Sequence, residues 1–133
     1  MEHVKTRPVN ILLVQGNAEN MSALHQAIKA HKNSEILYSV FQAQTIAQAI
    51  LISNENKIDA VFLGSPQDFD SDITYKYITE YPEQGYIVTN NELYYLFKRD
   101  VINKVKYFAP MKENTNIAVT KDIRSALWAL FMG

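Results

Sequence analysis

The sequence predicts an α/β protein, a three-layer α/β/α sandwich around one five-stranded parallel sheet, made of five consecutive strand–helix units. Three observations carry this. Short apolar runs such as Ile11-Leu12-Leu13-Val14 and Ala60-Val61-Phe62-Leu63 are unbroken rather than alternating, as in strands buried on both faces. Between the runs, apolar residues recur at spacings of three and four, the helical period. The two patterns alternate along the chain, so successive strands join by right-handed parallel crossovers that place helices on both faces of a sheet.

The first strand is Val9 to Val14, and Asn17 to Asn20 supplies the cap of a helix with Met21, Leu24, Ile28 and His31 on one side. The second strand is Ile36 to Phe41. Thr45 caps or opens a second helix along Ile46, Ala49, Ile50 and Ser53, and Asn54 to Lys57 is a polar loop. The third strand runs from Ile58 to Gly64. Ser65-Pro66 then forces a turn, because proline disfavours helix at the residue before it. A helix over Asp68 to Tyr81 presents Ile73, Tyr77, Ile78 and Tyr81, and Pro82 stops it. Gly85 to Thr89 is the fourth strand. Asn90 or Asn91 caps a helix with an inward stripe of Leu93, Leu96, Phe97 and Val101. Val105 to Ala109 is the fifth strand and Lys112 to Asn116 a polar loop. Thr120 or Asp122 opens the last helix, with Ile123, Ala126, Leu127, Leu130 and Phe131 inward.

Residues 1–8 read as a flexible tail and 9–133 as one domain, long enough to bury a substantial core. The formal net charge is −1 and the cations are scattered, which speaks against nucleic acid as a partner. There is no cysteine, so disulfides, thiolate catalysis and cysteine zinc sites are excluded. The first eight residues lack the apolar segment of a secretory signal, and no apolar run is long enough to cross a bilayer. The expected location is the cytoplasm, with no membrane contact.

The first strand ends in Gln15-Gly16. Ligands of open α/β sheets bind at the carboxyl ends of the strands. A phosphate-handling domain that uses Mg²⁺ needs hard anionic oxygens there. Gln15 offers a neutral amide and Gly16 no side chain. Other chemistry is thinly represented. Asp68-Phe69-Asp70-Ser71-Asp72 begins like a calcium loop, but Ile73 stands where glycine is needed and Thr79 where a bidentate Glu is needed. Acids capping and lining a helix start account for the run. His3 falls in the tail, and His25 and His31, six apart, do not share a helix face. Ser65 and Thr89 lie near strand ends without an evident His and acid pair, and the four glycines are isolated.

The element order, the phrase Ile11-Leu12-Leu13-Val14 before a helix, and Ile58-Asp59-Ala60-Val61-Phe62-Leu63 together resemble the receiver domain of two-component response regulators (CheY-like), over roughly Val9 to Met132. The resemblance implies a receiver or flavodoxin-like (βα)5 fold, and it implies where the family's active residues would fall. The two metal-binding acids fall at Gln15 and Gly16, and the phosphoacceptor Asp at Gly64. The switch Ser or Thr falls at Thr89, which is retained. The family lysine before a proline falls at Ala109, or at Pro110 after a one-residue shift, with Lys112 nearby. A glycine cannot be the carboxylate nucleophile, and without acids Mg²⁺ has no ligands. The chain therefore reads as a degenerate pseudo-receiver: not an enzyme, without metal or cofactor, and acting in signal transduction by protein contact.

The tyrosines suggest where. Tyr94 and Tyr95 lie off the Leu93-Leu96-Phe97 stripe, and Trp128 lies off the Ile123-Leu127-Leu130 stripe, one turn from Arg124. Exposed aromatics beside arginine are enriched at interface hot spots, although rings lying flat over helix edges give the same pattern. The fourth helix, fifth strand and fifth helix are the usual receiver dimerisation face. The resemblance implies a signalling partner or homodimer there, around Tyr94, Tyr95, Ile102, Arg124 and Trp128. The alternative is a flavodoxin-like or nucleotide-binding domain in which Gln15, Gly16, Asn17, Ser65, Thr89 and Asn90 hold a small neutral ligand at the strand ends.

Overall fold

A computed structural model describes residues 8–30, 37–111 and 116–132. Its elements alternate without exception: β1 (Val9–Val14), α1 (Ala18–Ala30), β2 (Tyr38–Ala43), α2 (Ile46–Glu55), β3 (Ala60–Leu63), α3 (Ser71–Glu80), β4 (Gly85–Val88), α4 (Asn91–Val101), β5 (Tyr107–Pro110) and α5 (Asn116–Met132). All four strand pairings are parallel, in the order β2-β1-β3-β4-β5. This is the expected sandwich, and its strand order reverses between β1 and β3, where doubly wound sheets open a crevice. No helix of the described residues is long and apolar enough to cross a membrane.

The continuous apolar strands feed two cores because successive side chains point to opposite faces. Leu12, Val14, Val61 and Leu63 pack with Ile46, Ala49, Tyr77, Ile78, Leu93, Phe97 and Val101, from α2, α3 and α4. Ile11, Leu13, Ala60 and Phe62 pack with residues of α1 and α5, among them Met21, Leu24, Ile123 and Ala126. Gly85 belongs to the second contact: a Cβ there would lie 3.1 Å from that of Ala126, so the bare backbone lets α5 lie close on β4.

Several boundaries differ from the sequence reading. β2 runs two residues past Phe41, because it pairs with β1 as far as Val14↔Ala43, and Leu37 before it is exposed. β5 includes Pro110, paired with Val88; as an edge strand it tolerates a residue with no N–H. α3 starts at Ser71 because Asp70 caps it, accepting from the N–H groups of Asp72 and Ile73 at 2.9 and 3.0 Å. Asp68 serves another helix: it accepts from the Ile46 N–H at 2.7 Å, at the start of α2. The reading of these acids as helix caps is right for Asp70 and assigns Asp68 to the wrong helix. Asn90, Thr45 and Asn17 cap α4, α2 and α1. α5 begins at Asn116, a turn or more before Thr120 or Asp122.

Three residues expected inward are exposed. Thr74 takes the core position of α3 in place of Ile73, Leu96 lies off a Leu93-Phe97-Val101 stripe, and Phe131 turns out at the end of α5. The tail before residue 8, His31, Ile36 and Lys112 lie outside the described residues.

Candidate functional site

The register brings the expected pocket residues together. Val14 pairs with Leu63, Leu63 with Val88, and Val88 with Pro110, so Gln15, Gly64 and Thr89 follow one another across the sheet just past the strand ends. Ala109 pairs with Ile87, one position lower, and is half-buried. Neither Ala109 nor Pro110 brings a charge to the edge.

Gln15 is only 6% exposed. Its backbone N–H donates to the Ala43 carbonyl, continuing the ladder to β2. Its side chain turns the other way, over the end of β3, and its Nε2 donates to the Thr89 hydroxyl at 2.8 Å. Gly64 lies beneath that bridge. A Cβ at Gly64 would stand 2.1 Å from Gln15 Nε2 and 2.3 Å from both Cδ and Oε1. The amide of Gln15 thus fills the volume into which any side chain at position 64 would project. Sequence reasoning treated Gln15 and Gly64 as two separate losses. The signal was there: a long polar residue after one strand and a glycine after its neighbour, at adjacent positions of one sheet edge.

Gly16 has an equally physical role. Its N–H donates to the Ser65 carbonyl at 2.8 Å, and a Cβ would meet that oxygen at 2.7 Å and the Gln67 nitrogen at 2.9 Å. The loop from β3 to α3 is drawn down onto it, held also by Gln67 Nε2 to the Gly16 carbonyl and Gln67 N–H to the Gln44 carbonyl. Protein backbone occupies the space a carboxylate at position 16 would need.

Around this plug is an open cleft of about 520 Å³ lined by Gln15, Asn17, Ser65, Thr89, Asn90 and Glu92, among others. Of the neutral hydrogen-bonders expected to converge, all but Gly16 line it, and four of them pair off, Gln15 with Thr89 and Asn90 with Ser65. Asn90 Nδ2 donates to Ser65 Oγ at 2.7 Å while its Oδ1 caps α4, and Asn17 Oδ1 caps α1. No group of three His, Cys, Asp or Glu able to hold a metal exists among the described residues. Ser65 and Thr89 bond to Asn90 and Gln15, not to a histidine. His25 pairs with Gln42 at 2.9 Å beside a different cleft.

The aromatic residues separate into two groups. Tyr94 is half-buried and stacks on Phe108 of β5 with centroids 5.4 Å apart; Tyr95, 67% exposed, meets it edge-on, and Lys98 lies over both rings. Ile102 is exposed at the end of the same helix. Arg124 lies elsewhere: its charge acts on the Tyr38 phenol of β2, at the far edge of the sheet from β5. Asp122 and Ser125 are the α5 residues that act on Tyr107 of β5. The flank of α5 toward β5 is therefore theirs and Arg124 is on the other, while Trp128, 67% exposed, lies between Arg124 and Ser125 on the outward side of the helix. The structure brings Tyr94, Tyr95 and Ile102 together on α4, while Arg124 acts toward β2.

No family model matches the sequence, and no curated protein matches it. Solved structures do. The chain is similar to the signal receiver domain of an HD domain-containing protein from Pseudomonas fluorescens Pf-5, with 19% identity and a TM-score of 0.74 over 98% of this chain and 95% of that one. It is similar to a CheY-like response regulator receiver domain protein from Methanospirillum hungatei JF-1, at 11% identity and a TM-score of 0.68 over 96% of this chain and all of that one. A third likeness is to the beryllofluoride-activated NtrC4 receiver domain dimer, at 18% identity and a TM-score of 0.67 over 89% and 95%. At these identities the likeness speaks for architecture: the chain has the CheY-like fold of response regulator receiver domains.

Proposed function

We propose that the chain is a pseudo-receiver, a signalling module of receiver fold that is not phosphorylated on a strand-end aspartate and acts by contact with a protein partner or a second copy of itself. One observation carries this reading: the Gln15 amide fills the side-chain volume of position 64 and bonds Thr89. Phosphoryl transfer needs a nucleophile and a cation at that point. Here there is an amide, a hydroxyl and backbone. In this reading the protein is not an enzyme, takes no metal or cofactor, and works in the cytoplasm without touching nucleic acid or membrane. Its contact surface is the α4–β5 side, where Tyr95 and Ile102 are exposed next to the Tyr94–Phe108 stack. Aromatic residues with a rigid backing are common anchors of interfaces.

Incubation with acetyl phosphate and Mg²⁺, followed by intact-mass measurement, tests the central claim. The expected result is an unchanged mass; a stable phosphoryl adduct overturns it. The cleft above the plug favours a second reading, a neutral small ligand at the strand ends. A thermal-shift screen with nucleotides and flavins separates the two, since a ligand selective for the folded state raises the midpoint.

A further inference from the structure

The two edges of the sheet are built differently. β5 is 4 residues long, follows Lys106 and ends in Pro110. Shortness, lysine and proline are devices that keep a sheet edge from pairing with another chain. β2, the opposite edge, is 6 residues long and has none of them. Its sequence, Tyr38-Ser39-Val40-Phe41-Gln42-Ala43, holds no charge and no proline, and its register with β1 runs one to one, without a bulge. α2, which packs over β2, carries no charge before Glu55.

The ladder fixes which groups of β2 point outward. The Leu37 carbonyl accepts from the Val9 N–H at 2.7 Å, and the Ala43 carbonyl from the Gln15 N–H at 3.0 Å. Strand backbone alternates with a period of two, so odd-numbered residues between these bond β1, while Val40 and Gln42 turn their N–H and C=O groups away from it. Among the described residues no strand lies on that side. The side chains of Val40 and Gln42 share the α1 face: Val40 packs on the core beneath α1 and α5, and Gln42 Nε2 donates to His25 Nδ1 at 2.9 Å. Phe41, half-buried, packs on the α2 side. Where β2 ends, an open cleft of about 470 Å³ lies against α1 and the start of α2, lined by Ser22, His25, Gln42, Gln44 and Gln48 among others. Gln42 belongs to both the edge and the cleft.

We propose that β2 takes an uncharged, extended segment of a partner protein as an added antiparallel outer strand. Alternating N–H and C=O groups along an edge are answered by an extended backbone, and alternate side chains of the added strand supply its specificity. In antiparallel pairing the residue opposite Val40 or Gln42 exchanges both bonds with it and projects its side chain on the same face. A polar residue of the segment therefore falls opposite Gln42, beside His25 and the cleft. The residues between fall on the other face, beside Phe41, and are apolar. A charged segment would find no opposite charge in β2 or in α2 before Glu55. The inference is independent of the phosphorylation reading, and it concerns the edge remote from the α4–β5 side.

Amide hydrogen exchange of the intact chain, read by NMR, tests it with a short capped peptide of alternating threonine and valine. The expected Kd is on the order of 1 mM, as befits a short ligand that must be ordered on binding. At a peptide concentration equal to Kd, exchange at Val40 and Gln42 slows about twofold, the factor 1 + [L]/Kd. Exchange at Phe41, whose N–H already bonds β1, stays as it was. N-methylation of the threonine amides abolishes binding, since these face β2 when the threonines lie on the α1 face; N-methylation of the valine amides leaves it. Gln42→Pro removes an outward N–H and no bond to β1, and it abolishes the slowing at Val40. If that variant does not fold, the methylated peptides decide. No slowing, slowing that survives methylation of the threonines or the Gln42→Pro change, or loss on methylation of the valines would each overturn the proposal. So would slow exchange of Val40 and Gln42 in the free chain at any concentration, which would show the edge already covered by this chain or a second copy.

Discussion

If Gln15 and Gly64 are two halves of one plug, they must be energetically coupled, and the coupling can be worked out. Gln15→Ala removes the 2.8 Å bond to Thr89, about 1 kcal/mol, and leaves a void worth about another 1 kcal/mol. Gly64→Ala puts a methyl 2.1 Å from Gln15 Nε2 and expels the amide. The same hydrogen bond is lost, and crowding adds about 1 kcal/mol. The flexible end of a glutamine yields more easily than backbone, so the crowding stays at the low end of its range. No glycine of the described residues has positive φ, so alanine suits the backbone at 64 and returns about 0.5 kcal/mol of unfolded-state entropy. The single variants should thus cost about 2 and about 1.5 kcal/mol. In the double variant the methyl occupies the space the amide has left, the bond is lost only once, the entropy is again returned, and the cost is about 0.5 kcal/mol. Urea denaturation of the four proteins should therefore show a coupling of about 3 kcal/mol, at the top of the range for residues in contact. Additivity within about 0.5 kcal/mol would refute the plug.

Two further outcomes follow from the same structure. Burial raises the pKa of the Tyr77 and Tyr86 phenols, in Tyr86 reinforced by the neighbouring Tyr77. Between the unfolded value near 10 and the raised folded values the native state holds more protons, so stability is full below about pH 10 and falls as pH rises above it. Phenolate absorbance should show these two tyrosines ionising only with unfolding; early, reversible ionisation of all tyrosines in the folded state contradicts the burial argument. Analytical ultracentrifugation should show concentration-dependent association that Tyr95→Asp abolishes and Trp128→Ala leaves intact. The opposite pattern would move the interface onto α5, and an unchanged mass at all concentrations would remove the dimer.

The architecture was legible because its signals are local. Unbroken runs such as Leu12 to Val14 and the 93-97-101 spacing specify burial by themselves, and capping residues such as Asn17, Thr45 and Asn90 are named by their chemistry. What was not legible depends on contacts distant in sequence. Asp68 caps a helix that begins 22 residues before it, and Pro110 is admitted by the edge position of β5, which follows from strand order. Arg124 was assigned to the α4–β5–α5 face because helix periodicity gives the exposed side of α5 but not which neighbour each flank meets. The buried network around Gln84 was missed for the same reason: its amide, two phenols and a serine lie on four different elements or connections.

The strand-end pocket is filled, not merely without acids. Deleting a carboxylate alone would leave a polar hole and a hydroxyl at Thr89 short of a partner, and buried groups in that state are costly. Here a larger residue at 15 and the smallest at 64 conserve volume together, and Thr89 keeps its bond. At position 16 the β3–α3 loop has closed on the backbone, held by the Gly16–Ser65 and Gln67–Gln44 bonds. A carboxylate placed at 64 would meet Gln15, and the Cβ of one placed at 16 would lie 2.7 Å from the Ser65 carbonyl. The two obstacles differ in kind. The first is a side chain that substitution removes; the second is backbone, which moves only if the loop refolds. The edge of the sheet is thus packed as a small core, closed by the loop path as much as by the residues at 15 and 64.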